Sequence, residues 1–75
     1  MFKHKEQQSL KILGQQIAQM RNAKAYTQEQ LASKSGLDRM TIALIENGRR
    51  WPRLSTLETL ANALDVKLKD FFVNL

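Results

Sequence analysis

The sequence predicts an all-α fold, a compact bundle of five short helices around one small core, on three observations. Apolar residues recur three and four apart, in Leu10, Leu13, Ile17 and Met20 and again in Leu57, Leu60, Ala61 and Leu64. That spacing is the stripe a helix turns toward a core. Gln28 to Asn47 reads as two short helices broken at Gly36, a helix-turn-helix. Thr27 with Gln30, and Ser55 with Glu58, have the spacing of capping boxes, in which side chains satisfy the free N–H groups of a helix start.

Size and composition narrow the function. Seventy-five residues make one domain, which buries about 60% of its unfolded surface and has no room for a deep catalytic cleft. Cysteine is absent, which removes disulfides and thiolate metal sites and fits a reducing cytoplasm. No apolar run is long enough to span a bilayer. One histidine and seven scattered acids supply neither a nucleophile with its base nor a metal site. No enzyme, cofactor or metal is expected. The formal net charge is +5, and residues 1–54 carry ten of the twelve Lys and Arg against four acids. A basic face of this kind suits a polyanion such as DNA.

The elements follow in order. Residues 1–8 are polar and charged without a period and are expected to be a flexible arm, with Lys3, His4 and Lys5 in reach of phosphate. The first helix is expected near Ser9, with Gln15, Gln16, Gln19 and Asn22 facing water. Thr27 caps the second helix, whose first turn holds Gln28. Gly36 supplies a positive φ for the corner, and Leu37 drops into it. Asp38 caps the third helix through the N–H near Thr41, and Gly48 closes it. Ile42 and Ile45 point inward, so Asp38, Arg39, Met40, Ala43, Leu44 and Asn47 point outward. Arg49, Arg50 and Arg53 lie in the loop beyond, with Trp51 expected over the core and Pro52 stiffening the exit. Ser55 is expected to cap the fourth helix. A fifth, from about Lys67 to Val73, seals the core with Val66, Leu68 and Phe71. Phe72, Val73 and Leu75 are surplus apolar residues, suited to a two-fold contact or to completing the core.

Gln28, Leu31, Ala32, Gly36, Leu37, Ile42 and Ile45 together resemble the master pattern of the phage repressor and Cro family, also called the XRE family. Thr-Gln-Glu-Gln-Leu-Ala and Ile-Glu-Asn-Gly are similar to signatures at its two ends. The likeness runs from about Leu13 to Phe71. It implies a lambda-repressor-like DNA-binding domain, 9–75, that regulates transcription as a homodimer on a palindromic operator. By the same resemblance, Arg39, Met40 and Leu44 read bases, with Ala43 and Asp38 beside them. Gln28, Thr41, Asn47, Arg49, Arg50 and Arg53 hold the DNA backbone, and Arg21 bridges to Glu46.

Four departures stand out. Met40 and Leu44 replace polar residues, so they can pack on a thymine methyl but cannot hydrogen-bond a base. Ser35 replaces an apolar residue before the corner, and Asp65 replaces a glycine at the end of the fourth helix, where a looser turn is expected. Small members of the family include Cro-like repressors, restriction–modification controllers and antitoxins. Leu37-Asp38-Arg39 followed by a short fifth helix resembles a controller. An antitoxin, using the Met40–Leu44 or Phe72–Leu75 surface to clasp a protein partner, is the alternative.

Overall fold

A computed structural model of the protein describes residues 2–75, with side chains from Gln7 onward. Four α-helices, α1 (Phe2–Ala23), α2 (Gln28–Ser35), α3 (Arg39–Glu46) and α4 (Leu54–Leu64), are followed by a 3-10 helix, Leu68–Phe72. There is no strand among the described residues. The core is the one the periodicity predicts. Leu13 and Ile17 of α1, Leu31 of α2, Ile42 and Ile45 of α3, Leu57, Leu60 and Leu64 of α4, and Phe71 are all buried. Met20, Ala32, Leu37, Val66 and Leu68 pack around them.

Helix α1 begins at Phe2, not near Ser9. Residues 2–8 contain no glycine or proline, and their lysine, glutamate and glutamines are good helix formers, so nothing stops the helix there. The side chains of Lys3, His4 and Lys5 lie outside the described residues.

The corner between α2 and α3 is built as predicted. Thr27 Oγ1 accepts from the Gln30 N–H at 3.0 Å and Gln30 Oε1 from the Thr27 N–H at 2.8 Å. Gly36 takes φ 76° and its N–H bonds Ala32 O. A Cβ there would meet nothing within 4 Å, so the glycine is required by its backbone angle alone. Ser35 strengthens the turn. Its hydroxyl donates to Ala32 O and accepts from the Leu37 N–H at 3.2 Å, satisfying an N–H that an apolar residue would leave free.

Three helices end in the same way. After α3, Gly48 is left-handed, with Gly48 N–H to Ile45 O and Arg49 N–H to Leu44 O. This is the Schellman pattern. Asp65 (φ 56°) repeats it after α4 and Ala25 (φ 60°) after α1. The turn at Asp65 is therefore as tight as a glycine would make it.

Two expectations near α4 are corrected. Arg53, not Ser55, is the N-cap, without a side-chain bond, and Ser55 lies inside the first turn. Arg53 is the last extended residue after Pro52, and α4 starts at once so that Leu57 and Leu60 meet the core. Trp51 is 50% exposed, and Phe71 supplies the buried ring instead.

Candidate nucleic-acid interface

The site is assembled behind α3. Glu46, in its last turn, is buried and collects donors from two other elements. Arg21 Nε donates to Glu46 Oε2 at 2.7 Å and Nη2 to Oε1 at 3.0 Å. Arg21 Nη1 reaches the carbonyl of Tyr26 at 2.7 Å. Gln28 Nε2 donates to Glu46 Oε1 at 3.0 Å. The forked bridge thus ties α1, α2 and α3 at one carboxylate. Among the described residues no buried side-chain polar atom lacks a partner. The hydrogen bond to Glu46 raises the Arg21 pKa above its ordinary value, so the guanidinium keeps its charge.

Gly14 makes this closeness possible. It is buried on α1, and a Cβ added there would stand 2.3 Å from Ile45 O and 2.7 Å from Glu46 O. Only a residue without a side chain lets the two backbones approach so closely. Sequence reasoning did not single it out, because a glycine inside a helical stripe looks like a weak point and not a crossing point.

At its other end α3 presents its candidate reading surface. Arg39 and Met40 are exposed, whereas Ala43 and Leu44 are half-buried. Arg39 Nη1 donates to Gln28 Oε1 at 3.3 Å, and its Nε lies 3.8 Å from Glu29 Oε2. Both functional atoms of the Gln28 amide are therefore engaged, one by Glu46 and one by Arg39. The Gln28 side chain serves as a link between the buried bridge and Arg39, a role its place in the sequence did not reveal.

Asp38 is occupied as a cap. Its Oδ2 accepts from the Thr41 N–H at 3.0 Å and its Oδ1 from the Thr41 hydroxyl at 2.6 Å. These two bonds from Thr41, with help from nearby Arg50, hold the carboxyl below its ordinary range. A depressed pKa stabilises the fold above the unfolded value, and that contribution disappears as pH falls through the folded value. Melting temperature followed below about pH 4 should therefore drop more steeply in the parent than in Asp38→Asn. Parallel curves would show that the carboxylate contributes nothing.

The loop arginines divide. Arg50 folds back on the first turn of α3, its Nη1 3.4 Å from Thr41 Oγ1. Arg53 joins Arg50, Thr41 and Trp51 along one surface groove. Arg49 and Asn47 are exposed at the opposite end of α3, about 12 Å along the helix from Arg39 at 1.5 Å per residue. The backbone contacts predicted on α3 and the loop after it thus fall into two groups, one at each end of the helix. Phe72, Val73 and Leu75 are exposed, and Gln16 of α1 donates to the Val73 carbonyl. No cluster of possible metal ligands occurs among the described residues, and no helix there is long and apolar enough to cross a membrane.

Residues 17–71, which include the whole of this arrangement from Arg21 to Phe71, match the helix-turn-helix family HTH_3. The chain belongs to that family. A relative, the uncharacterized HTH-type transcriptional regulator y4dJ of Sinorhizobium fredii, is 39% identical over 56 residues, covering 75% of this chain and 73% of its own. The restriction–modification controller protein C.AhdI from Aeromonas hydrophila superposes with a TM-score of 0.82 at 40% identity. That match covers 84% of this chain and 96% of the controller. The protein in the nucleoprotein complex of C.Esp1396I superposes with a TM-score of 0.74 at 32% identity, over 88% of this chain and 95% of that one.

Proposed function

We propose that this HTH_3 protein is a sequence-specific DNA-binding transcriptional regulator. In this reading α3 enters the major groove and two copies bind a palindromic operator. The observation that carries it is the exposed pair Arg39 and Met40 on the outer face of a helix braced from behind by the Arg21–Glu46–Gln28 network. Such a helix can be pressed into a groove without yielding. Arg39 can fork onto guanine O6 and N7, and Met40 can pack on a thymine methyl. Half-buried Leu44 and Ala43 line the approach, and Asp38 holds the helix start.

Thr41, Asn47, Arg49, Arg50 and Arg53 are assigned to the DNA backbone, where contacts position the protein without reading sequence; Gln28, whose amide is engaged, joins them through the N–H groups of the first turn of α2. The spread of these residues to both ends of α3 supports this, since phosphates flank the groove on both sides. Phe72, Val73 and Leu75 form the proposed two-fold contact. The protein would act as a binder and not a catalyst, on DNA in the cytoplasm, in the manner suggested by its resemblance to controllers.

Selection of bound duplexes from random DNA tests class and assembly together. Recovered sites should be two-fold symmetric, with half-sites about 34 Å apart. Recovery of no preferred sequence at moderate salt would overturn the reading. On the selected site, Arg39→Ala should weaken binding by about 1–3 kcal/mol and relax the preference at one base pair. Arg50→Ala should weaken all sequences alike and lower the salt slope by about one. Titrations at two salt concentrations separate the two roles.

A further inference from the structure

We propose that Glu29 is a specificity-determining residue, one that competes with DNA for the guanidinium of Arg39. It would penalise every sequence that cannot offer Arg39 two acceptors. The inference rests on the DNA-binding reading above.

Arg39 has a resting seat made of two unlike parts. One is the Gln28 amide oxygen, 3.3 Å from Arg39 Nη1. It cannot drift, because Gln28 is bound to Glu46, and Glu46 is buried and held by Arg21. The other is the Glu29 carboxylate, 3.8 Å from Arg39 Nε. Its side chain is 73% exposed, and it stands in the first turn of α2. Among the described residues, Arg49, Arg50 and Arg53 have no carboxylate at ion-pair distance, but Arg39 does. The one arginine placed to read a base is thus the one given a competitor.

The chemistry of base edges gives that competitor its effect. To engage DNA, Arg39 must give up an ion pair and a long hydrogen bond. Guanine replaces both, with O6 and N7 side by side. In the major groove adenine offers only N7, thymine only O4, and cytosine no acceptor. A phosphate could also take the guanidinium, but Glu29 stands beside it and repels a phosphate oxygen. Leaving the ion pair costs the same wherever Arg39 engages DNA, but the repelled phosphate is what Arg39 meets when no guanine is offered, so the carboxylate costs binding on unrelated sequences more than on the operator.

The test measures dissociation constants on the selected operator and on a scrambled duplex of equal length, at one salt concentration. Four proteins are compared: the parent, Glu29→Gln, Arg39→Ala and the double variant. Glu29→Gln should tighten binding to the scrambled duplex about 2–5-fold, the range of an exposed ion pair. It should tighten operator binding less, so the ratio of the two affinities falls. With Arg39→Ala already present, Glu29→Gln should leave that ratio unchanged, because the competitor has nothing left to hold.

Equal tightening on both duplexes would overturn the proposal, since Glu29 would then act through net charge alone. So would a change in ratio that persists in the double variant. A parent that does not distinguish the duplexes would defeat the DNA-binding reading itself, and this inference with it. That result is recognisable before any variant is measured.

Discussion

Arg21→Ala should cost about 3 kcal/mol of stability, the low end of what breaking a buried ion pair costs. The loss comes less from the missing attraction than from what remains. The Glu46 side chain is 4% exposed, and without Arg21 its carboxylate keeps only the Gln28 amide as a donor. The Tyr26 carbonyl loses its guanidinium as well. For a domain of this size each kcal/mol shifts the melting temperature by about 4–8 °C, so a drop of about 12–24 °C is expected. A drop of a degree or two would mean that water reaches Glu46 freely, and the bridge would then have no organising role.

A paired variant separates strength from orientation. Replacing both partners by apolar residues, Arg21→Met with Glu46→Leu, should recover much of the stability, because no charge is left stranded. It should not recover sequence preference. Gln28 then has no anchor, and the seat of Arg39 goes with it. Recovery of both properties together would show that α3 is held by packing alone.

Gly14→Ala is the second large effect expected, a net loss of about 2 kcal/mol. The added methyl would sit 2.3 Å from a carbonyl oxygen of α3 and 2.7 Å from the next. Both are backbone atoms and cannot rotate away, so α1 and α3 must part by about 1 Å to regain ordinary contact. Overpacking costs about 1–3 kcal/mol, and a clash with two immovable backbone atoms belongs at the top of that range, about 3 kcal/mol. The gain in helix propensity returns about 1 kcal/mol. A thermal melt should show a fall of about 8–16 °C.

Gly36→Ala provides the contrast. Nothing lies within 4 Å of its would-be methyl, so only the left-handed angle is penalised, by about 1–2 kcal/mol. If Gly14→Ala proves the milder of the two, the close approach of α1 to α3 is not what fixes the domain.

These two sites also mark where sequence reading was strong and where it ran out. Capping residues were legible when they act within a few residues of themselves, as Thr27 with Gln30 and Asp38 with Thr41 do. The Ser55–Glu58 pair had the same spacing and was misleading. The start of α4 is set by which residues must meet the core, and Leu57 and Leu60 place it at Leu54. The chain reversals at Ala25 and Asp65 were hidden for a related reason. Their left-handed angles are imposed by the packing of the helices they join, on residues that do not announce them as glycine does. Trp51 looked like a core residue by its chemistry, yet it is half exposed and the buried ring is that of Phe71.

What the amino-acid order determined by itself was the set of helices, the inward face of each and the corner at Gly36. All of these follow from interactions between residues three to five apart. Family membership was legible too, because its pattern is made of those same small, apolar and capping positions. What only the tertiary structure decided was how the helices are joined: the closeness of Gly14 to α3, the meeting of Arg21, Gln28 and Glu46, and the placing of Glu29 beside Arg39. Arg21 and Glu46 are 25 residues apart, and no local period records such a distance. The resemblance to known proteins implied the bridge between them. The link through Gln28 to Arg39 exists only once three helices have been brought to one point.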